Sequence, residues 1–102
     1  MKHHSVLNEI AAFAPVDGNW LPLDDAIGRL WEIGVTSECV PVLFAMFERF
    51  PDEDGAGVLW SIVHGVEALD LDYEPLLRES LSRQSSLMGR IMLGRLERAN
   101  AG

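Results

Sequence analysis

Trp60, His64 and Glu67 form the group of residues in this chain whose types and spacing come closest to a chemical site. They stand at positions i, i+4 and i+7, so a helix carries them in one column beside its apolar stripe. His64 and Glu67 are spaced to place two ligands on one metal ion, and His64 can act as a base oriented by Glu67. Ser61 is the nucleophile nearest to them for a catalytic site. The three residues therefore allow four interpretations: a metal site, a catalytic site, a partner-binding face and a seam between helices.

The two chemical alternatives need groups that the sequence does not supply. A catalytic zinc site needs a third protein ligand, but the chain has no second H-x-x-E motif, no H-E-x-x-H motif and one cysteine, Cys39. Side chains of Ser61, His64 and Glu67 diverge around one helix axis and do not converge on a reacting atom. We therefore expect no catalytic residue, no metal and no cofactor. The column is interpreted first as a structural seam and second as a partner anchor.

The charge distribution argues against two classes of partner. The net charge is −8, and residues 1–75 hold 14 acids against 3 bases, whereas residues 76–102 hold 2 acids and 5 arginines. Nucleic acids and anionic membranes select basic surfaces, so we expect the protein to bind neither and to suit a basic partner. Arg90, Arg95 and Arg98 near the C-terminus form either a small phosphate-binding patch or a complement to the helix dipole and nearby acids.

Length and composition indicate one globular domain, residues 1–102. Hydrophobic residues make up 48% of the chain and charged residues 24%, a composition typical of folded proteins. A single cysteine cannot close an internal disulfide, which favours a reducing compartment. The first residues lack a long apolar core, so we expect no signal peptide, and no apolar run approaches the ~18 residues of a membrane span. His3 and His4 are assigned no function.

Every segment with a regular apolar pattern is typical of a helix, and the fold class predicted is all-α with six helices. The second helix is expected from Leu23 to Ile33, with Gly34 ending it, and the sixth is expected to reach Ala99. Pro15 and Pro51 are expected to follow the first and third helices. The predicted N-caps of the other helices are Ser5, Thr36 or Ser37, Asp54, Asp72, and Ser85 or Ser86.

The six helices are expected to form three antiparallel pairs, at about residues 5–34, 37–69 and 73–100. A spacing of 34 residues relates the second and third pairs, through Pro41 and Pro75, Leu43 and Leu77, and Phe47 and Leu81. That period favours a short HEAT-like α-solenoid, with a compact helical bundle as the alternative. In such a stack the turns within pairs lie at one end. Asp17 would then lie beside the acidic turn "PDEDG", opposite the connector "LDLDYE".

Several short motifs between about residues 43 and 100 resemble the small all-helical immunity proteins of bacterial polymorphic-toxin and contact-dependent growth-inhibition systems. These are an F-P-D turn, a D-G opening, a W-x-x-x-H-x-x-E helix, a Y-x-P-x-L helix start and a terminal M-L-x-R helix with a late asparagine. In this chain they are Phe50, Pro51 and Asp52; Asp54 and Gly55; Trp60, His64 and Glu67; Tyr73, Pro75 and Leu77; and Met92, Leu93, Arg95 and Asn100.

The resemblance implies a cytoplasmic, non-enzymatic inhibitor that binds and neutralises a cognate toxin domain. Many toxin domains are nucleases with basic surfaces, so an acidic inhibitor suits them and associates quickly with them. The candidate partner-binding residues are Asp17, Trp20, Asp52, Glu53, Asp54, Trp60, His64 and Glu67. Two alternatives stay open: a helical-repeat adaptor without a neutralising role, and a small enzyme subunit. The toxin chemistry, the mode of inhibition and the oligomeric state are not predicted.

Overall fold

Six α-helices make up the regular structure of residues 2–101, the part of the chain that the computed structural model describes, with side chains described for residues 4–99. They are α1 (Lys2–Ala12), α2 (Leu21–Ile33), α3 (Val40–Arg49), α4 (Val58–Glu67), α5 (Glu74–Arg83) and α6 (Leu87–Ala101). Apart from one isolated bridge between Val16 and Asn19, these residues form no β-structure. The all-α prediction is therefore confirmed. None of the described helices has the length and apolar character needed to cross a membrane.

Two of the predicted helix-end signals act as expected. Gly34 ends α2 with a φ of 114°, a conformation that favours glycine, and its N–H donates to the Leu30 carbonyl at 2.9 Å. At the start of α6 the Ser86 hydroxyl accepts the Gly89 N–H at 3.1 Å, which is the bond of an N-cap.

The other predicted N-caps are wrong. Ser5 lies inside α1, and α3 begins at Val40, after a turn that contains both Thr36 and Ser37. Asp54 and Asp72 use their carboxylates to close turns, accepting the N–H of the residue two positions ahead at 3.1 and 3.2 Å. Such local side-chain bonds compete with capping, and the helices start a few residues later.

Helix α3 lies at the centre of the fold, in contact with α1, α4, α5 and α6. The odd-numbered helices contact in the row α1–α3–α5, and the even-numbered helices contact in the row α2–α4–α6. Within each predicted pair the two helices also touch. The antiparallel direction of the pairs and the HEAT-like array stay predictions. A single cluster of buried apolar side chains includes residues from all six helices, among them Ile10, Leu30, Phe44, Phe47, Leu59, Leu77 and Met92.

Two polar contacts of α3 tie its neighbours to it. Arg49 donates from Nη1 and Nη2 to the carbonyls of Ala11 and Phe13 at 2.7 and 2.6 Å, which satisfies acceptors at the end of α1. Glu48 accepts the Ser80 hydroxyl at 2.7 Å and two Arg83 donors, each at 3.0 Å. The Arg83 guanidinium and then the Ser80 hydroxyl hold the pKa of the Glu48 carboxyl below its usual range, against the effect of burial.

Candidate functional site

The column of Trp60, His64 and Glu67 lies along α4 where that helix meets α6. Trp60 and Glu67 are half-buried, His64 is exposed, and the Trp60 and His64 ring centroids are 5.8 Å apart. Arg95 of α6 reaches into the column: its Nη1 is 2.7 Å from the Glu67 carboxylate, and its guanidinium carbon is 5.6 Å from the Trp60 ring centroid. The column is thus a contact between two helices.

Arg95 also bears on the chemical alternatives. The Glu67 side chain accepts a hydrogen bond from Arg95 and none from His64 among the described contacts, so this carboxylate does not orient His64. Ser61 lines a groove between α2 and α4, and no described hydrogen bond joins it to His64. Within the described part of the chain no group of three or more His, Cys, Asp or Glu side chains is placed to hold a metal ion.

Contacts join the turns within the three predicted pairs. The Trp20 ring, at the end of the α1–α2 turn, lies 5.1 Å from the Phe50 ring, centroid to centroid, where the α3–α4 turn begins. The first N–H of α6, that of Leu87, donates to the Pro51 carbonyl at 2.7 Å. We call this region the acidic end, and its acidic residues are Asp17, Asp52, Glu53 and Asp54.

Trp20 belongs to the core of this end. Its side chain is 8% exposed and packs against Phe13, with ring centroids 5.5 Å apart, and against Phe50. Gly55 is buried beneath the indole, because a Cβ built at this glycine would lie 2.9 Å from Trp20 Cε3. A side chain buried in this way presents almost no surface to a partner. We therefore correct the role of Trp20 from partner contact to support for the two turns.

The four acids of the acidic end are exposed, and none of them has an ion-pair partner among the described residues. The backbone beneath them is sharply turned: Gly55, Ala56 and Gly57 have φ values of 62°, 54° and 92°. The Asp54 carboxylate supports this turn through its bond to the Ala56 N–H. No described hydrogen bond or ion pair involves the side chain of Asp52 or of Glu53.

Most arginines, by contrast, are engaged within the chain. Arg29 pairs with Glu9 and Asp25. Arg78 pairs with Glu74 at 2.9 Å and with Glu97 of α6 at 3.9 Å. The Arg29 guanidinium lowers the pKa of the Glu9 carboxyl. Of the three arginines considered as a phosphate patch, Arg95 pairs with Glu67 and Arg90 donates to the Ser85 hydroxyl at 3.0 Å. The unpaired charge on the surface is therefore mainly negative.

A groove between α2 and α4 is a site that the sequence patterns did not single out. Its cavity has a volume of about 300 Å³ and is lined by Asp24, Ile27, Gly28, Trp31, Ser61 and Gly65. The Trp31 indole lies directly over Gly65, with Cε2 2.7 Å from where a Cβ at that position would stand. Trp31 and Gly65 are 34 residues apart, the spacing found between Pro41 and Pro75, but this spacing relates corresponding positions and does not predict a contact between them.

The described chain thus has three surfaces that bear on function: the occupied column, the acidic end and the α2/α4 groove. The first is filled by Arg95, and the other two present carboxylates without cations. Comparisons with protein-family models, with curated proteins and with solved structures found no match to this chain.

Proposed function

We propose that the protein is a non-enzymatic, immunity-type inhibitor that binds a cognate toxin domain through its acidic end and neutralises it. The motifs between about residues 43 and 100, with their resemblance to all-helical immunity proteins, support this proposal. The observation that carries it is the group of exposed acids, Asp17, Asp52, Glu53 and Asp54, which have no cationic partner among the described residues.

The packing beneath these acids supports the same proposal. Trp20 rests on Phe50 and Gly55, and the Leu87 N–H binds the Pro51 carbonyl, so the turns that carry the acids are held by core contacts. A preformed surface loses little conformational entropy on binding, which leaves more of the interaction energy for affinity. Carboxylates held at one end also steer a basic partner toward that end during its approach.

The column of Trp60, His64 and Glu67 is left outside the proposed contact. Arg95 already satisfies Glu67 and covers part of Trp60, so only His64 is freely presented to a partner. The column is better explained as the seam between α4 and α6. A role of the column as a partner anchor would require the partner to displace Arg95.

A growth assay tests the function directly. The C-terminal domain encoded by the adjacent upstream gene is expressed in a sensitive bacterium, with and without this protein. We expect that domain to stop growth and co-expression of this protein to restore it. A helical adaptor would give no protection, so a domain that stays lethal in the presence of the protein would contradict the proposal.

Charge reversal tests the acidic end. We expect Asp52→Lys with Glu53→Lys to slow association with an inactivated form of that toxin domain by about tenfold or more at low salt, and to flatten its salt dependence. The matched control is Glu38→Lys with Asp70→Lys, two exposed acids without ion pairs at the far ends of α3 and α4. A ten-residue helix spans about 15 Å, beyond a Debye length of about 8 Å, so the control should change association far less. Equal effects of the two double variants would refute a local role for the acidic end.

A further inference from the structure

The α2/α4 groove has the shape of a slot with an aromatic floor and an acidic rim. Trp31, which packs on Gly65, supplies the floor and Asp24 the carboxylate, while Gly28 and Ser61 line the space between the helices. A Cβ built at Gly28 meets no atom within 4 Å, so this glycine faces empty space. The groove is thus wide enough for one side chain of a partner, with an apolar surface below it and a negative charge at its edge.

Trp31 packs on Gly65, but it differs from the other two tryptophans in having no aromatic or cationic partner for its ring among the described residues. Trp20 packs against two phenylalanines, and Trp60 lies under the Arg95 guanidinium. Asp24 is likewise exposed and without an ion pair. The nearest arginine in sequence, Arg29, does not fill the groove, since it is held by Glu9 and Asp25.

The seam between α4 and α6 contains a similar pair, a tryptophan ring and a carboxylate, and there an arginine binds both. There a tryptophan and an acid seven residues apart on one helix, Trp60 and Glu67, bind the same guanidinium. Asp24 and Trp31 are also seven residues apart on one helix, in the opposite order. Seven residues are two turns, so both pairs lie on one side of their helix at about 10 Å. The groove therefore repeats the tryptophan–carboxylate arrangement of the seam without its arginine.

We propose that the α2/α4 groove is a binding site for an arginine side chain of a basic protein partner. The methylene stem of the arginine packs over Ile27 and Gly28, the guanidinium stacks on Trp31, and its N–H groups donate to Asp24. The surplus of unpaired acids on the protein favours a cationic occupant. Arginine fits better than lysine, because its planar guanidinium stacks on an aromatic face while its edge binds a carboxylate. The site is separate from the acidic end and does not require the partner to be a toxin.

NMR of the full chain tests this proposal with a defined probe. The capped peptide Ac-Ala-Arg-Ala-NH2 is titrated into the labelled protein, and the backbone amides of Gly28 and Gly65 and the indole N–H of Trp31 are followed. We expect saturable shifts at these three signals with a dissociation constant on the order of millimolar, as suits one side chain. The peptide with Lys in place of Arg should bind several-fold more weakly. The peptide with Gln in place of Arg should show no measurable binding.

Three variants make the assignment specific. Asp24→Asn should weaken binding about threefold or more, whereas Asp25→Asn, which removes the same charge one residue away and outside the groove, should change it less than twofold. Gly28→Leu should abolish binding by filling the slot. Its fold is protected because the added side chain enters open space and leucine favours a helix over glycine. The amide spectrum verifies the fold of each variant.

Four outcomes would overturn the proposal. One is the absence of saturable shifts at Gly28, Gly65 and Trp31. The others are equal binding of the Gln peptide, undiminished binding by folded Gly28→Leu, and equal losses in Asp24→Asn and Asp25→Asn. The last result would mean that the peptide responds to the general negative charge of the protein and not to the groove.

Discussion

Replacing Gly65 by alanine tests the packing that forms the floor of the groove. Gly65 lies in α4 directly beneath the Trp31 indole of α2. An added methyl group would collide with Cζ2 and stand 2.7 Å from Cε2 and 2.8 Å from Cη2. Such contacts are shorter than packed carbon atoms allow, so the indole or the helix must move. Gly28→Ala, on α2, is the matched control, because its methyl group meets nothing within 4 Å.

The two substitutions have the same intrinsic effect and differ in the clash. Alanine is better than glycine inside a helix by about 1 kcal/mol, so Gly28→Ala should raise the free energy of unfolding by up to about that amount. Overpacking costs about 1–3 kcal/mol, so Gly65→Ala should be neutral or destabilising by up to about 2 kcal/mol. The difference between the variants isolates the clash at about 1–3 kcal/mol. In a domain of this size each kcal/mol corresponds to a Tm change of about 4–8 °C.

Urea and thermal unfolding followed by circular dichroism measure both variants against the parent protein. Tryptophan fluorescence adds a local readout, since a displaced Trp31 becomes more exposed to water in Gly65→Ala and not in Gly28→Ala. If Gly65→Ala is as stable as Gly28→Ala and leaves the fluorescence unchanged, Trp31 does not rest on Gly65. The groove as described would then have a different floor.

Two further substitutions test the polar ties of α3. Glu48→Gln should cost about 1–2 kcal/mol at pH 7, because a charge-assisted bond to Arg83 is lost. The depressed pKa of Glu48 stabilises the fold at neutral pH, and this contribution disappears as the pH falls through that pKa, below the ordinary 4.5. The loss in free energy of unfolding caused by Glu48→Gln, measured in urea, should therefore shrink in acid. Glu79→Gln, at an exposed position, should cost less than about 0.5 kcal/mol at every pH. A loss in Glu48→Gln that does not change with pH would contradict this reasoning. Arg49→Lys should cost about 1 kcal/mol of stability and speed amide hydrogen exchange at the end of α1, because lysine cannot reach both carbonyls in the same geometry. Unchanged exchange would mean that the Arg49 hydrogen bonds do not hold the end of α1.

Much of the helical framework was predictable, and the errors have a common cause. The stripe of α4, with Leu59, Ile62, Val63 and Val66, is buried as its spacing predicts. The N-caps at Ser5 and Asp54 were wrong, because a capping residue is recognised by where the chain turns and not by its type alone. Spacing locates a helix well, but its first residue depends on competing local hydrogen bonds.

The candidate sites were less predictable than the helices. A tryptophan in a turn rich in proline and glycine, such as Trp20, suggests exposure, yet the fold places a second turn over it. Glu67 stood next to His64 in every sequence-based alternative, whereas its partner is Arg95, 28 residues further along the chain. Contacts between turns and between helices of this kind have no signature in the local pattern.

Apolar periodicity and charge are local properties, so they were enough to predict the all-α class, the approximate position of six helices and the concentration of acids near the turns. Which charged groups remain available to a partner depends on how the helices pack against one another. Helix packing joined Arg95 to Trp60 and Glu67 and buried Trp20. It also left open space beside Gly28, in a groove that Trp31 lines. These outcomes depend on how helices far apart in the chain pack together, and close packing selects among side chains that local periodicity treats alike.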